Sequence, residues 1–370
     1  MGSECSFPAG PFQPSRMLAA RLRRGFTVNT LAEAMGVDRR TISRHDAGLF
    51  APSAEHLRAA ARALRFPERF FLGSDIGVLA PEAASFRWSS KRTARQRDMA
   101  LGSAAVAGAF NGEIEQLYAL PERDLPDLAH RSDPKQAAEF VRRKWNLDER
   151  PIESMMQLLE SKGVRIFSLP ADAASAGPFS LWHRNHPFIL LDAANPQYER
   201  RFDLARELGH LLLHRGAGPK AQQAAIAFGG AFLMPTDAMH ADAPHPPALE
   251  KVIALAHKWG VPLAAIAHRL HKLGLLSEWQ YRRIRDQITE HGAADEGTPA
   301  GARRETSSLL QQVFASLRGR GITKHKIAGS LHVYPTDVDV LTFGLAIIGL
   351  DGAVSSEHLR PRLTLASSGQ

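Results

Sequence analysis

The residue types with the clearest chemical potential lie in residues 202–214, which read F-D-L-A-R-E-L-G-H-L-L-L-H. At about 100° per residue, the polar positions of this stretch fall within an arc of roughly 60° on one helix face, while apolar residues fill the other sides. These polar positions are Asp203, Glu207, His210 and His214. In an H-E-x-x-H helix, two imidazoles one turn apart bind zinc and the glutamate is the general base. Arg206 stands at the first histidine position, so the stretch predicts a zinc-hydrolase helix with an altered ligand set.

Positive charge is concentrated near the N-terminus. The 370 residues carry a net charge of +8, and residues 16–73 alone hold eleven arginines against five acidic residues. Residues 87–97 add five basic residues and no acidic one. A local basic excess is expected of a nucleic-acid-binding region, although a solvated arginine-rich surface would show it too.

Composition excludes several other classes of protein. The only cysteine, Cys5, rules out an intramolecular disulfide framework and any thiolate-rich metal site. No apolar run approaches the ~20 residues that span a bilayer. Residues 1–15 are rich in Gly, Pro and Ser and lack the basic-then-apolar pattern of a secretion signal. We therefore expect no membrane partner and a cytoplasmic, nucleoid-associated location.

The basic N-terminal segment has the pattern of a helix-turn-helix. Helices are predicted at 17–24, 28–35, 39–45 and 54–64, with a last short one from Pro67 and a tight turn at Gly36. Arginine side chains on the third helix could reach guanine edges or phosphates. The predicted DNA-binding residues are Thr27, Asp38, Arg39, Arg40, Thr41, Ser43 and Arg44. Three further arginines could be either phosphate contacts or solvated surface, namely Arg21, Arg23 and Arg24.

The central region changes from helical to strand periodicity. Helices are predicted at 134–145 and 152–162, and strands follow at 164–167, 179–182 and 188–192, with a turn at Asn185. This order indicates an α+β domain in which the 202–214 helix packs on a short antiparallel sheet.

Two families resemble these segments. The pattern T-x-x-x-L-A-x-x-x-G-V-x-x-x-T-I-S-R-x-[ED]-x-G, here at residues 27–48, resembles the Cro/repressor-like (XRE) helix-turn-helix family. Val28 departs from it, because a glutamine that commonly meets a phosphate is usual there. The pattern R-F-D-L-A-x-E-L-G-H-L-L-L-H, followed by F-x-x-x-F-L-M-P at 228–235, resembles the ImmA/IrrE zinc peptidases. The whole layout looks like regulators that fuse the two.

The second resemblance implies a zinc ion held by both histidines of H-E-x-x-H and by a glutamate from the helix that leads into F-L-M-P. Here His210 matches the second histidine, Glu207 the general base and Arg206 the first histidine, while the glutamate position falls near Gln222 or Gln223. A guanidinium does not deprotonate in proteins and cannot bind zinc. Glu207 is therefore expected to be a vestigial general base. His210 and His214 are metal candidates only if zinc is retained.

Several functions remain open. The first is a sequence-specific transcriptional regulator that binds double-stranded operator DNA as a homodimer and needs no cofactor. Its peptidase-like domain would act as a sensor, with a small-molecule or peptide effector near Arg206, Glu207 and His210, and with Arg206 holding an anionic group. Alternatively, Arg206 pairs with Glu207 or Asp203 in a structural polar cluster. The second function is an active zinc metallopeptidase that cleaves a repressor or itself, and the third is an antitoxin or phage-type control protein.

The C-terminal part is predicted to be mostly helical. Residues 249–276 form helices that turn at 259–262, and another helix covers 306–318. Residues 322–333 look like half of a second helix-turn-helix, but Asp337 and Asp339 on its partner helix would repel phosphate. We read this part as a packing or dimerisation unit, in which the apolar residues 343–350 suit a subunit contact.

The predicted fold class is multidomain, with an all-α helix-turn-helix domain, an α+β zincin-like domain of the ImmA/IrrE type and a mostly α C-terminal domain. The predicted boundaries are a disordered N-terminus at 1–15, the helix-turn-helix domain at 16–75, a linker with one helix at 76–130, the peptidase-like domain at 131–285, a linker at 286–301, the C-terminal domain at 302–354 and a loose tail at 355–370.

Overall fold

The computed structural model describes residues 10–86, 93–213, 218–244, 246–291, 305–346 and 364–365. His214, most of the predicted 286–301 linker and nearly all of the predicted tail therefore lie outside the described residues. Within those ranges, no helix is both long and apolar enough to cross a membrane. The predicted multidomain fold class is confirmed.

The N-terminal domain has the predicted succession of short helices. They are α1 (Pro14–Arg23), α2 (Val28–Met35), α3 (Arg39–Asp46) and α4 (Ala54–Leu64), followed by a 3₁₀ helix (Glu68–Leu72). Thr27 caps α2 and Asp38 caps α3, since each side chain accepts a backbone N–H of the first turn. Gly36 ends α2 at φ 68°, a left-handed conformation that glycine adopts without strain.

Helix α5 (Ala94–Leu117) is the central element of the molecule. Thr93 and Gln96 form a capping box at its start. The sequence places this helix in a linker, but its side chains are buried along most of its length. Gly102 lets α1 approach closely, because a Cβ there would lie 2.3 Å from the backbone nitrogen of Arg23. On the other side, the rings of Phe110 and Phe167 are 5.9 Å apart.

The sheet of the central domain is mixed. Its strands are β2 (Arg165–Ser168), β3 (Phe179–His183) and β4 (His186–Leu191), after a two-residue β1 (Tyr118–Ala119) that pairs with β5 (Thr364–Leu365). The order is β2-β4-β3. The hairpin from β3 to β4 turns at Arg184 and Asn185, both at positive φ, so this pair is antiparallel. The expectation of an antiparallel sheet is wrong for β2, because it pairs in parallel with β4 instead of with its neighbour in sequence.

The described part of the central domain contains eight further helices. They are α6 (Pro134–Lys144), α7 (Met155–Ser161), α8 (Gln197–Leu213), α9 (Pro219–Leu233), α10 (Thr236–Asp242), α11 (Leu249–Trp259), α12 (Leu263–Lys272) and α13 (Glu278–His291). Helix α8 lies on β3 and β4 and packs along α9. Two glycines permit the close crossing: Cβ atoms at Gly209 and Gly229 would lie within 3.0 Å of Phe228 and of the Arg206 backbone, respectively.

The C-terminal helices dock on the rest of the chain. They are α14 (Ser308–Gly319), α15 (Lys324–Leu331) and α16 (Pro335–Thr342). Two buried carboxylates cap helices reciprocally across the contact. Glu305 accepts the N–H groups of Met155 and Met156 at 3.0 and 2.9 Å, and Glu160 accepts that of Leu309 at 3.1 Å. Residues 343–350 are predicted to form a subunit contact. Phe343 is exposed, and residues 347–350 lie outside the described ranges.

Candidate functional site

Helix α3 presents a basic face to solvent. Ile42 and His45 point inward and are buried, whereas Arg39, Arg40, Ser43 and Arg44 are exposed. The Oδ1 atom of Asp38 accepts the N–H of Arg40 at 2.7 Å, which fixes the start of the helix. Thr41 is half-buried and Thr27 is an exposed cap. The predicted DNA-binding residues are thus close together, and four of them share one exposed helix face.

Two apolar side chains beside this face are missed by sequence reasoning. Leu49 and Phe50 are exposed just after α3, and the guanidinium of Arg44 lies 5.7 Å from the centroid of the Phe50 ring. In the sequence, only their position directly after the predicted third helix could have indicated these two residues. Two neighbouring apolar residues in a loop show no periodicity.

The arginines of α1 do not lie on the surface as expected. The Arg21 guanidinium pairs with Asp46 at 2.6 Å, inside the helix-turn-helix domain. Arg23 pairs with Asp172 of the central domain at 3.1 Å, and Arg24 with Asp337 of α16 at 2.9 Å. The reading as phosphate contacts or solvated surface is therefore wrong, since Arg21 is paired within its own domain and Arg23 and Arg24 tie that domain to the others.

In α8, Arg206 lies inside a carboxylate cluster. Its side chain is 3% exposed and donates to Asp203 Oδ1 at 2.6 Å and to Glu207 Oε1 at 2.9 Å. Burial alone would lower the pKa of Arg206, but Glu207 and Asp203 outweigh it and raise the pKa above its ordinary value. The guanidinium is therefore a permanent cation at the first histidine position, and the expected pairing with Glu207 and Asp203 is confirmed.

The second oxygen of Glu207 is engaged from the opposite side. Oε2 accepts the hydroxyls of Ser85 at 2.5 Å and Ser180 at 2.9 Å, and the carboxylate is fully buried. Ser85 belongs to a segment on the outer edge of β3, where its N–H donates to the Ser180 carbonyl at 2.9 Å. Sequence reasoning misses both serines because single serines show no pattern. Both carboxylate oxygens of Glu207 therefore accept hydrogen bonds from within the protein.

His210 borders a cavity of about 550 Å³. Burial lowers the pKa of His210, and the carboxylate of Glu207 and a hydrogen bond with Gln222 only partly offset it, so the ring is neutral near pH 7. At the rim, Arg123 donates to Asn185 at 2.8 Å and lies 5.4 Å from the Trp182 ring centroid. Leu181, Leu211 and Leu212 give the wall an apolar part.

Of the predicted effector residues, only His210 lines this cavity. Arg206 and Glu207 are buried and enclosed by their own partners, and the anchoring of an anionic ligand by Arg206 stays a prediction.

The donor set around His210 does not fit a catalytic zinc ion. Such an ion needs three protein ligands from His, Cys, Asp or Glu. Within the described ranges, no three side chains of these types are grouped to hold a metal. Gln222 on α9 offers a neutral amide beside His210, and Glu207 is bound by the two serines. His214 lies outside the described residues.

Comparison with protein families identifies two parts of the chain. Residues 17–71 match the helix-turn-helix family model, and residues 159–271 match the model of the IrrE N-terminal-like domain, peptidase family M78. A search of curated proteins gave no significant match. The predicted fusion of an XRE-type and an IrrE-type domain is confirmed.

Proposed function

We propose that this chain, which joins a helix-turn-helix domain to an IrrE N-terminal-like domain, is a sequence-specific DNA-binding transcriptional regulator. The observation that carries the proposal is α3, whose Arg39, Arg40, Ser43 and Arg44 are exposed together while Ile42 and His45 fix the helix from inside. Arginines in this arrangement suit guanine edges and phosphates in a major groove. Such a regulator works where its operator DNA is, in the cytoplasm.

We further propose that the IrrE-like domain has lost its zinc ligands. Arg206 stands at the first ligand position and is neutralised by two carboxylates, and Gln222 approaches His210 where a carboxylate ligand would be needed. The ion pair between Arg206 and Glu207 supplies the buried carboxylate with a counter-charge in place of a metal ion. This supports a pseudo-peptidase, in which the domain keeps its architecture and serves another purpose.

The IrrE-like domain would then serve to sense a ligand or to contact another protein. The cavity beside His210 combines apolar walls with a few polar groups at its rim, as small-ligand sites commonly do. Residues 83–85 line this cavity, and Ser85 of this segment contacts Glu207. The segment continues from the helix-turn-helix domain, so a ligand in the cavity would contact the chain that leads to the DNA-binding unit.

A direct test uses genomic DNA captured by the purified full-length chain. Sequencing of the captured fragments should reveal an enriched motif, and Glu207→Gln protein should enrich the same motif because Glu207 is remote from α3. Recovery of random fragments only would contradict sequence-specific binding.

A further inference from the structure

A second cavity, of about 510 Å³, lies where the helix-turn-helix domain meets α16. The C-terminal ends of α1 and α4 supply one wall through Arg23, Arg24, Arg62 and Arg65. The first turn of α16 supplies the other wall. This cleft shares no lining residue with the cavity beside His210.

Positive charge in this cleft is only partly compensated. Four guanidiniums meet one carboxylate, that of Asp337, which Arg24 already binds at 2.9 Å. Arg23 is held by Asp172 outside the cleft. Arg62 and Arg65 are exposed, and neither side chain has an acidic partner among the residues that the structure describes. Two positive charges therefore face the cleft without a counter-charge.

The backbone of Arg65 is strained. This residue follows the last turn of α4 in the left-handed region, at φ 53° and ψ 51°. Glycine adopts this conformation freely, whereas a side chain makes it unfavourable. This left-handed residue ends α4 and places Arg65 at the rim of the basic cleft.

The opposite wall adds a hydroxyl donor. Thr336 lies in the first turn of α16, with its side chain exposed to the cleft. The end of the helix itself is already capped, because the carboxylate of Asp337 accepts the N–H of Tyr334 at 3.3 Å. Tyr334, 46% exposed beside it, adds an aromatic ring with a hydroxyl group.

We propose that this cleft binds a phosphate-bearing small molecule of nucleotide size. Arg62 and Arg65 bind the phosphates from the side of the DNA-binding domain, and the hydroxyl of Thr336 donates to them from the C-terminal side. The ligand then bridges the two domains next to the Arg24–Asp337 ion pair. This site is separate from the sensor cavity of the proposed function and does not depend on it.

The test is isothermal titration calorimetry of the full chain with pyrophosphate and with ADP. Arg62→Ala and Arg65→Gly should each weaken binding by about tenfold or more, because each removes charge-assisted hydrogen bonds to phosphate. Arg65→Gly should at the same time keep or raise the melting temperature, since glycine relieves the left-handed strain. Arg58→Ala is the matched control, because Arg58 lies one turn earlier on α4 and outside the cleft, and it should change affinity by less than about twofold.

Three outcomes would overturn the proposal. The first is that neither pyrophosphate nor ADP binds the wild-type chain. The second is that Arg58→Ala weakens binding as much as Arg62→Ala, which would indicate diffuse attraction to a basic surface. The third is that Arg62→Ala and Arg65→Gly lower affinity for DNA without probe yet leave pyrophosphate affinity unchanged, which would assign these arginines to the DNA backbone. The calorimetric titration contains no DNA. A lack of pyrophosphate or ADP binding would therefore leave the DNA-binding proposal untouched.

Discussion

At the residue scale, Arg206 organises the polar face of α8. Its guanidinium draws Glu207 and Asp203 into one buried cluster. The serines at 85 and 180 complete the enclosure of Glu207. Removing Arg206 would leave two buried carboxylates without a counter-charge, which is strongly unfavourable, whereas Glu207→Gln leaves Arg206 paired with Asp203. Attraction between the guanidinium of Arg206 and the two carboxylates therefore keeps these three side chains together.

Restoring the two ligand positions should restore metal binding. We predict that wild-type protein purified without a His tag contains no stoichiometric zinc, whereas the Arg206→His/Gln222→Glu double variant retains about one zinc ion per chain after dialysis. Elemental analysis of the dialysed protein measures this. Arg206→His alone is the control and should hold zinc more weakly, since it still lacks the carboxylate ligand.

Near-stoichiometric zinc in the wild-type chain would contradict the loss of the site. It would favour the alternative function, a zinc metallopeptidase.

At the element scale, local signals predict the helices well and the pairing of strands poorly. Caps such as Thr27 and Asp38 and the turn at Gly36 act within a few residues, so the boundaries of α2 and α3 follow from the sequence. The parallel pairing of β2 with β4 depends on contacts between distant segments that no local pattern encodes. For the same reason, Ser85 could not be placed against Glu207, 122 residues away.

The packing of α1 against α5 should be highly sensitive to the side-chain volume at position 102. We predict that Gly102→Ala lowers the free energy of unfolding by about 1–3 kcal/mol, because its Cβ would lie 2.3 Å from a backbone atom of Arg23 and the helices must separate. Gly112→Ala on the same helix has no neighbour within 4 Å and should stabilise the chain by up to about 1 kcal/mol. Urea unfolding compares the two variants, and equal effects would show that the helices do not pack this closely.

The reciprocal caps between α7 and α14 should make stability depend on pH. Burial raises the pKa of Glu160 to about 7, and hydrogen bonds from Ser307, Ser308 and Leu309 only partly oppose this. Because the pKa is higher in the folded than in the unfolded state, the stabilisation is complete below about pH 4.5 and is lost as the pH rises through 7. The expected loss is roughly 3 kcal/mol.

Urea unfolding at pH 5 and pH 8.5 measures this dependence. The Glu160→Gln variant, which cannot ionise, should lose less stability over the same interval. An identical pH dependence in wild type and Glu160→Gln would rule out Glu160 as its source.

At the scale of the whole molecule, the DNA-binding domain is an integral part of one packed structure. Helix α5 joins α1 to the sheet, and the ion pairs of Arg23 and Arg24 connect the N-terminal domain to both of the others. The exposed face of α3 is left free by these contacts. The other domains therefore fix the position of α3 within the chain.

We predict that the regulator binds DNA as a homodimer. A two-fold dimer places two copies of α3 on half-sites about one helical turn, or a multiple of it, apart. Analytical ultracentrifugation should give twice the chain mass of 40.5 kDa, and the captured DNA motif should be an inverted repeat. A monomer at micromolar concentration, combined with a motif without symmetry, would contradict the dimer.

Operator affinity of recognition-helix variants tests the account most directly. Fluorescence anisotropy with the captured motif should show that Arg39→Ala and Arg44→Ala each lose about tenfold or more in affinity, since a base-edge or phosphate contact is worth roughly 1–3 kcal/mol. Glu207→Gln should bind like the wild type. Unchanged affinity in both arginine variants, at the same salt concentration, would contradict the assignment of α3 as the element that reads DNA.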